Sequence, residues 1–182
     1  MSDLAGRIEL ICGPMFSGKT TAMIARLAAA RDEGFDVVAI KPGQDRRYSE
    51  DQIVTHDGQK LSAVKVVAVP EIRGVAVGVR VVGIDEVHFF DESLVEICRE
   101  LADSGLRIMA AGVELDHRGR RFEVVARLAE IAHEVIRLTA RCARCGAAAR
   151  QSQRLVSNDA RIVVGGVGMY EPRCDRCFEP GP

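Results

Sequence analysis

The sequence predicts an α/β protein: a P-loop parallel-sheet domain with helices on both faces over residues 1–140, then a small zinc-ribbon module over residues 141–182. Three observations carry this. Apolar runs alternate with amphipathic helical stretches, the pattern of strand–helix–strand units. A G-x-x-x-x-G-K-[ST] segment lies where the first apolar run meets the first helical stretch. Two C-x-x-C pairs follow the point where the alternation stops.

Arg7 to Cys12 is a short apolar run ending in a glycine-rich turn, and reads as the first strand. From Thr20 to about Arg31 the spacing of Met23, Ile24, Leu27 and Ala28 predicts a helix with one apolar stripe, stopped at Gly34. Val37 to Ile40 reads as a buried strand closed by Lys41-Pro42-Gly43. Residues 44–60 are polar and turn-rich, a length at which connections in compact domains are usually functional or disordered. Val64 to Val69 and Val79 to Ile84 read as strands, Ser93 to Ala102 as a helix, and Leu106 to Ala111 as a strand. A helix at Glu123–Ile131 and a strand at His133–Leu138 complete the alternation.

The totals bound the function. The chain has 182 residues, enough for one domain with a small appendage, and its formal net charge of -1 supplies no global field to hold nucleic acid. The N-terminus lacks a basic segment followed by an apolar core, and no apolar run reaches the roughly 20 residues of a membrane helix. The expectation is a soluble, cytoplasmic protein with no nucleic-acid or membrane partner. In a reducing compartment the six cysteines suit metal binding or burial better than disulfides. Cys12 and Cys98, on a strand and a helix, read as buried small apolar residues.

Gly13, Pro14, Met15, Phe16, Ser17, Gly18, Lys19 and Thr20 fit the phosphate-cradle pattern without a mismatch. Gly13 and Gly18 let successive backbone N–H groups face a phosphate, and the following helix adds its positive end. Lys19 brings a full charge to the β- and γ-phosphates, and the Thr20 hydroxyl is placed for Mg²⁺. The hydrophobic run ending in Asp85-Glu86 supplies the acidic partner: Asp85 for the metal side, Glu86 beside it. Such a base either activates water or deprotonates a substrate hydroxyl, and the residues alone leave both open.

Cys142 and Cys145, with Cys174 and Cys177, make two knuckles that suit one closed, structural Cys₄ zinc site; a redox pair, a disulfide or plain burial are the alternatives. Between them, Gly165, Gly166 and Gly168 lead to Tyr170, a composition that suits either backbone lying close over a ligand or a flexible hairpin tip.

The GPMFSGKT segment, the IDEVHFF strand end, and a late loop with GG and Tyr between two C-x-x-C knuckles together resemble the zinc-containing thymidine kinases, the second structural type. The likeness runs from about Ile8 to Cys177, in the family's order. It implies an ATP-dependent kinase acting on the 5′-hydroxyl of thymidine, often also deoxyuridine, with Glu86 as general base and Asp85 on the Mg²⁺ side. Asp45, Arg47 and Tyr48 match the family's D-x-R-Y-S segment over the phosphates, which Thr55 to Gly58 continue. Met15 and Phe89 match residues beside the nucleoside, and Phe122 an aromatic that closes the base pocket. Val163, Gly165 and Tyr170 fall on contact positions of the family's lasso, Ser152 near the base. A homotetramer is the implied assembly.

The chain departs from the family's pattern at His88, where glutamine is usual, and at His117, where phenylalanine is common. Arg121 and Glu123 replace a proline and a glycine around Phe122. These changes leave the phosphate chemistry alone and bear on nucleoside preference; His56 and His133 read as ordinary loop and strand-edge residues. Two further readings stand beside the thymidine kinase. One is a kinase for another deoxynucleoside, motivated by the two histidines. The other is a zinc-ribbon nucleic-acid binder with an ATP switch, motivated by Arg141, Arg144, Arg150, Arg154, Arg161, Arg173 and Arg176.

Overall fold

The computed structural model describes residues 6–45, 52–54, 60–157 and 160–181. Its centre is a six-stranded sheet in the order β5-β2-β6-β7-β1-β8. The strands are β1 (Arg7–Gly13), β2 (Val37–Pro42), β5 (Val64–Val66), β6 (Val81–Ile84), β7 (Arg107–Val113) and β8 (Glu134–Arg137). Every pairing between them is parallel. A parallel sheet needs cover on both faces. Helix α1 (Lys19–Asp32) lies on one, where Met23 and Leu27 join Ile11, Met109 and Val81. The other face holds α3 (Ser93–Asp103) and α4 (Glu123–Ile131), whose Leu94, Cys98, Val125 and Leu128 join Ile8, Leu10 and Cys12. Alternate residues of β1 thus serve opposite cores, as the two-residue period of a strand dictates.

Helix α1 approaches the sheet closely at Gly83, where a Cβ would lie 2.5 Å from Leu27 Cδ1. The stripe differs by one position from the sequence expectation: Ala28 is exposed, and Ala30, one turn beyond Leu27, is buried. The strand expected over Val64–Val69 ends at Val66, because it is an edge strand and Val67 already faces solvent. Inside the polar 44–60 stretch and its flank the structure places an antiparallel pair, β3 (Gln52–Val54) and β4 (Lys60–Ser62), and a short helix α2 (Glu71–Val75) follows β5. Beneath the sheet's N-terminal end, the carboxylate of Glu9 is fully buried and contacts Arg7, Arg26 and Arg107 at 3.1, 2.8 and 2.7 Å. Burial opposes its ionisation, but the Arg107 and Arg26 bonds outweigh burial and hold its carboxyl below the ordinary range.

After β8 the architecture changes. Two antiparallel pairs follow, β9 (Ala140–Arg141) with β10 (Ala148–Ala149), and β11 (Gln151–Arg154) with β12 (Tyr170–Arg173). Between β11 and β12, the described residues 155–157 and 160–169 form a strap whose Arg161 to Gly165 return toward the C-terminal edge of the main sheet. None of the helices among the described residues is long and apolar enough to cross a membrane.

Candidate active site

The C-terminal ends of β1, β2, β6 and β7 open into one cleft of about 300 Å³. Ligands gather at this edge of open parallel sheets because strand ends and helix N-termini converge there. Met15, Phe16, Gly18, Lys19 and Thr20 form one wall, Asp85, Glu86, His88 and Phe89 the floor. His117, Phe122, Val163, Gly165 and Tyr170 lie at the far end, and Asp45 at the near one.

The glycine-rich turn between β1 and α1 is held by close backbone passages. Gly13 has φ +152° and lies so close to the turn after β8 that a Cβ would sit 2.4 Å from the Leu138 carbonyl oxygen. Gly18 has φ +83° and directly precedes α1. The buried Lys19 donates from Nζ to the Pro14 carbonyl at 2.7 Å, and Ser17 Oγ donates to the same oxygen at 2.8 Å. Thr20 Oγ1 lies 3.2 Å from Asp85 Oδ2. A hydroxyl facing a carboxylate is a hard-oxygen donor pair, which fits Mg²⁺. Two non-glycine residues among those described have positive φ, Phe16 at 63° and Glu86 at 50°, and both line this cleft. Left-handed backbone at such residues is held by the surrounding structure and concentrates at functional sites.

Glu86 stands where the two ends of the cleft meet. Its N–H donates to Asp85 Oδ1 at 2.9 Å. Its Oε2 is 3.4 Å from His88 Nδ1, which also accepts the Val113 N–H at 3.2 Å. The His88 ring lies 4.5 Å from that of Phe89 and 5.1 Å from that of Phe122, so this histidine occupies a seam between the two aromatic rings. His117 is buried; burial, then the charge of Arg154, lowers its pKa and favours the neutral ring.

Other expected residues fall differently. Ser152 is buried outside the cleft lining, and its Oγ accepts the Met15 N–H at 3.0 Å, tying the cradle to β11. Gly13 and Pro14 face a second hollow behind the cradle. Arg47, Tyr48 and the Thr55–Gly58 stretch lie outside the described residues. Sequence reasoning passed over Lys41, whose buried ammonium at the end of β2 donates to the Gln52 carbonyl at 3.2 Å and lines the cleft. A lysine closing a buried strand beside the Asp-Glu strand was the available signal. It also passed over Asp116 as a site residue and treated Arg161 only as part of a basic tilt; both line the cleft.

The four cysteines of the two knuckles converge, with all four Sγ atoms within 4.8 Å of one another. Tetrahedral Zn–S bonds of about 2.3 Å place sulfurs about 3.8 Å apart, so the cluster matches that donor set. Burial resists ionisation at Cys142 and Cys174, but knuckle N–H groups and neighbouring thiols outweigh it and hold both thiols low, Cys142 at about 6. Cys12 and Cys98 are of the other kind: both are buried, and burial pushes their thiols up to about 11 and about 12.

A parallel sheet that delivers a glycine cradle, a lysine and a threonine opposite an Asp-Glu strand end defines a P-loop nucleotide-binding protein, here with a cysteine-cluster module. The family model for thymidine kinase matches residues 6–178. A thymidine kinase of Rhodothermus sp. (strain ITI 518) is 45% identical over 175 residues, covering 96% of this chain and 82% of that one. Those of Bacteroides thetaiotaomicron and Chloroflexus aurantiacus are 40% and 41% identical, each over at least 95% of this chain and over 87% and 95% of their own. The chain belongs to the thymidine kinase family.

Proposed function

We propose that this chain is an ATP-dependent thymidine kinase that transfers the γ-phosphate of ATP to the 5′-hydroxyl of thymidine, and of deoxyuridine. The observation that carries the reading is the position of Glu86, a carboxylate between a phosphate cradle and an aromatic-lined pocket within one cleft. Water-activating ATPases need no such second pocket.

In this reading the Gly13–Thr20 backbone cradles the phosphates, and Lys19 leaves the Pro14 carbonyl to meet the β- and γ-oxygens. Thr20 and Asp85 are the residues that would hold Mg²⁺, which when bound neutralises phosphate charge. Asp45 lines the same cleft, and the family resemblance assigns Arg47 to the γ-phosphate. Met15, Phe89, His117 and Phe122 bound the base on one side, with Val163, Gly165 and Tyr170 across from them and Ser152 behind Met15. Glu86 takes the 5′-hydroxyl proton as that oxygen bonds to the γ-phosphorus, and the bond from phosphorus to the β,γ-bridging oxygen breaks, leaving ADP. Most of the acceleration then comes from positioning and charge stabilisation.

Zinc at Cys142, Cys145, Cys174 and Cys177 would staple a lasso module, residues 141–182, onto the kinase domain, residues 1–140. A cytoplasmic location and a homotetrameric assembly accompany the reading as the family resemblance implies them. The net charge of -1 agrees with a small-molecule acceptor over nucleic acid. Turnover of thymidine by the chain, beside Glu86→Gln, tests the proposal.

A further inference from the structure

The strap between β11 and β12 is gathered by one arginine and fastened by the next. Arg154 Nη1 and Nη2 donate to the carbonyls of Ala160 and Arg161 at 2.7 and 2.9 Å, and its Nε lies 3.2 Å from the Tyr170 hydroxyl. That hydroxyl donates to the Val163 carbonyl at 3.0 Å. Those contacts hold the strap's shape but do not tie it to the kinase body.

Arg161 makes that tie. Its Nε donates to Asp116 Oδ2 at 2.9 Å, Nη2 to the Arg121 carbonyl at 2.6 Å and Nη1 to Glu123 Oε2 at 3.0 Å. Its guanidinium also lies 4.9 Å from the centre of the Phe122 ring. The Asp116 side chain is only 1% exposed, and its Oδ1 accepts the N–H groups of Arg118 and Arg120, each at 2.9 Å. Asp116 therefore shapes the turn that carries His117 with one oxygen and receives the strap with the other. A planar guanidinium serving a carboxylate, a carbonyl and a ring face at once fixes distance and direction together, which a point charge does not.

We propose that Arg161 is a positioning residue for the nucleoside: it locks the strap against the Asp116–Phe122 wall and so sets how tightly the pocket holds a pyrimidine nucleoside. The inference rests on the thymidine kinase reading and names a determinant within it. The side-chain hydrogen bonds and ring contact of Arg161 go to Asp116, Arg121, Glu123 and Phe122 and to none of Lys19, Thr20, Asp85 and Glu86, so it acts on binding and leaves the chemical step alone. Its contribution is pre-organisation: a strap already docked has less freedom to lose when ligand enters.

The test is steady-state kinetics in both substrates for the wild type, Arg161→Gln and Arg161→Lys, with limited proteolysis of the ligand-free proteins. Arg161→Gln is expected to raise KM for thymidine about tenfold, to keep kcat within about twofold, and to leave KM for ATP unchanged. Cleavage within residues 155–169 should quicken. Arg161→Lys, keeping the charge but not the fork, should fall between, and it alone decides if the Gln protein does not fold. An unchanged thymidine KM in the deciding variant, or kcat and both KM values shifting together, overturns the proposal. A wild type that turns over no thymidine overturns the kinase reading instead; the proteolysis contrast then still decides the strap's attachment, and equal cleavage rates overturn it.

Discussion

Gly13 and Gly18 bracket the cradle, and the structure predicts very different outcomes for the same substitution at each. Alanine at Gly13 would place Cβ 2.4 Å from the Leu138 carbonyl oxygen and 3.0 Å from Ser17 Oγ, at φ +152°. The nearer obstacle is backbone, and Leu138 is itself bonded through its N–H to the Cys12 carbonyl at 2.8 Å. No side-chain rotation relieves the overlap; β1 and the end of β8 must separate. Forcing a side chain into this glycine region costs about 1–3 kcal/mol, and the overlap about 1–3 kcal/mol more, or ~4 kcal/mol together. At Gly18 a Cβ meets nothing within 4 Å, so only the left-handed backbone at φ +83° opposes alanine, at ~1 kcal/mol. In a chain of this size each kcal/mol lowers Tm by about 2–4 °C, which gives a fall of ~12 °C for Gly13→Ala against ~3 °C for Gly18→Ala. Thermal unfolding followed by circular dichroism, without nucleotide and with zinc present, makes the comparison. Equal falls, or a smaller one for Gly13→Ala, would refute the reasoning that the cradle is fixed by the close passage of β8.

Replacing Glu9 with glutamine leaves Arg7, Arg26 and Arg107 without their shared buried carboxylate, and unfolding in urea at neutral pH should show a loss of about 3 kcal/mol. The folded carboxyl is held below its ordinary value of 4.5, so its contribution is complete above that pH and fades as pH falls through the folded value; the gap between wild type and Glu9→Gln should therefore narrow below about pH 4. Chelation of metal, or Cys174→Ser, should release one zinc per chain by elemental analysis and abolish thymidine turnover. ATP binding, measured by calorimetry, should survive, because the cradle lies on β1 and α1.

Much of this molecule is legible in its sequence because local rules and the fold agree. The cradle at Gly13–Thr20 needed only a strand before it and a helix after it, and both are there. The cysteine knuckles were readable because thiolates that share a metal must come in closely spaced pairs. What could not be read are features fixed by distant partners. Ala30 in place of Ala28 on the buried stripe depends on how α1 tilts across the sheet. The strand ending at Val66 depends on its being the sheet's edge. The Ser152 hydroxyl satisfies the Met15 N–H across 137 positions of sequence. Arg161 looks, in sequence, like one of several scattered positive charges; only the strap's return brings it to Asp116. The two histidines stood out only as departures from the pattern of the family the sequence resembles, and packing alone shows His88 lodged between Val113 and Glu86.

The most direct measurement is ATP- and Mg²⁺-dependent formation of thymidine monophosphate by zinc-loaded wild type beside Glu86→Gln, with deoxyuridine, deoxycytidine and the purine deoxynucleosides in parallel. The account predicts preferred turnover of thymidine, with deoxyuridine next. It also predicts a loss of at least about 10²-fold in kcat for Glu86→Gln, with ATP affinity retained. Absence of turnover with every nucleoside, or full activity in Glu86→Gln, would contradict it.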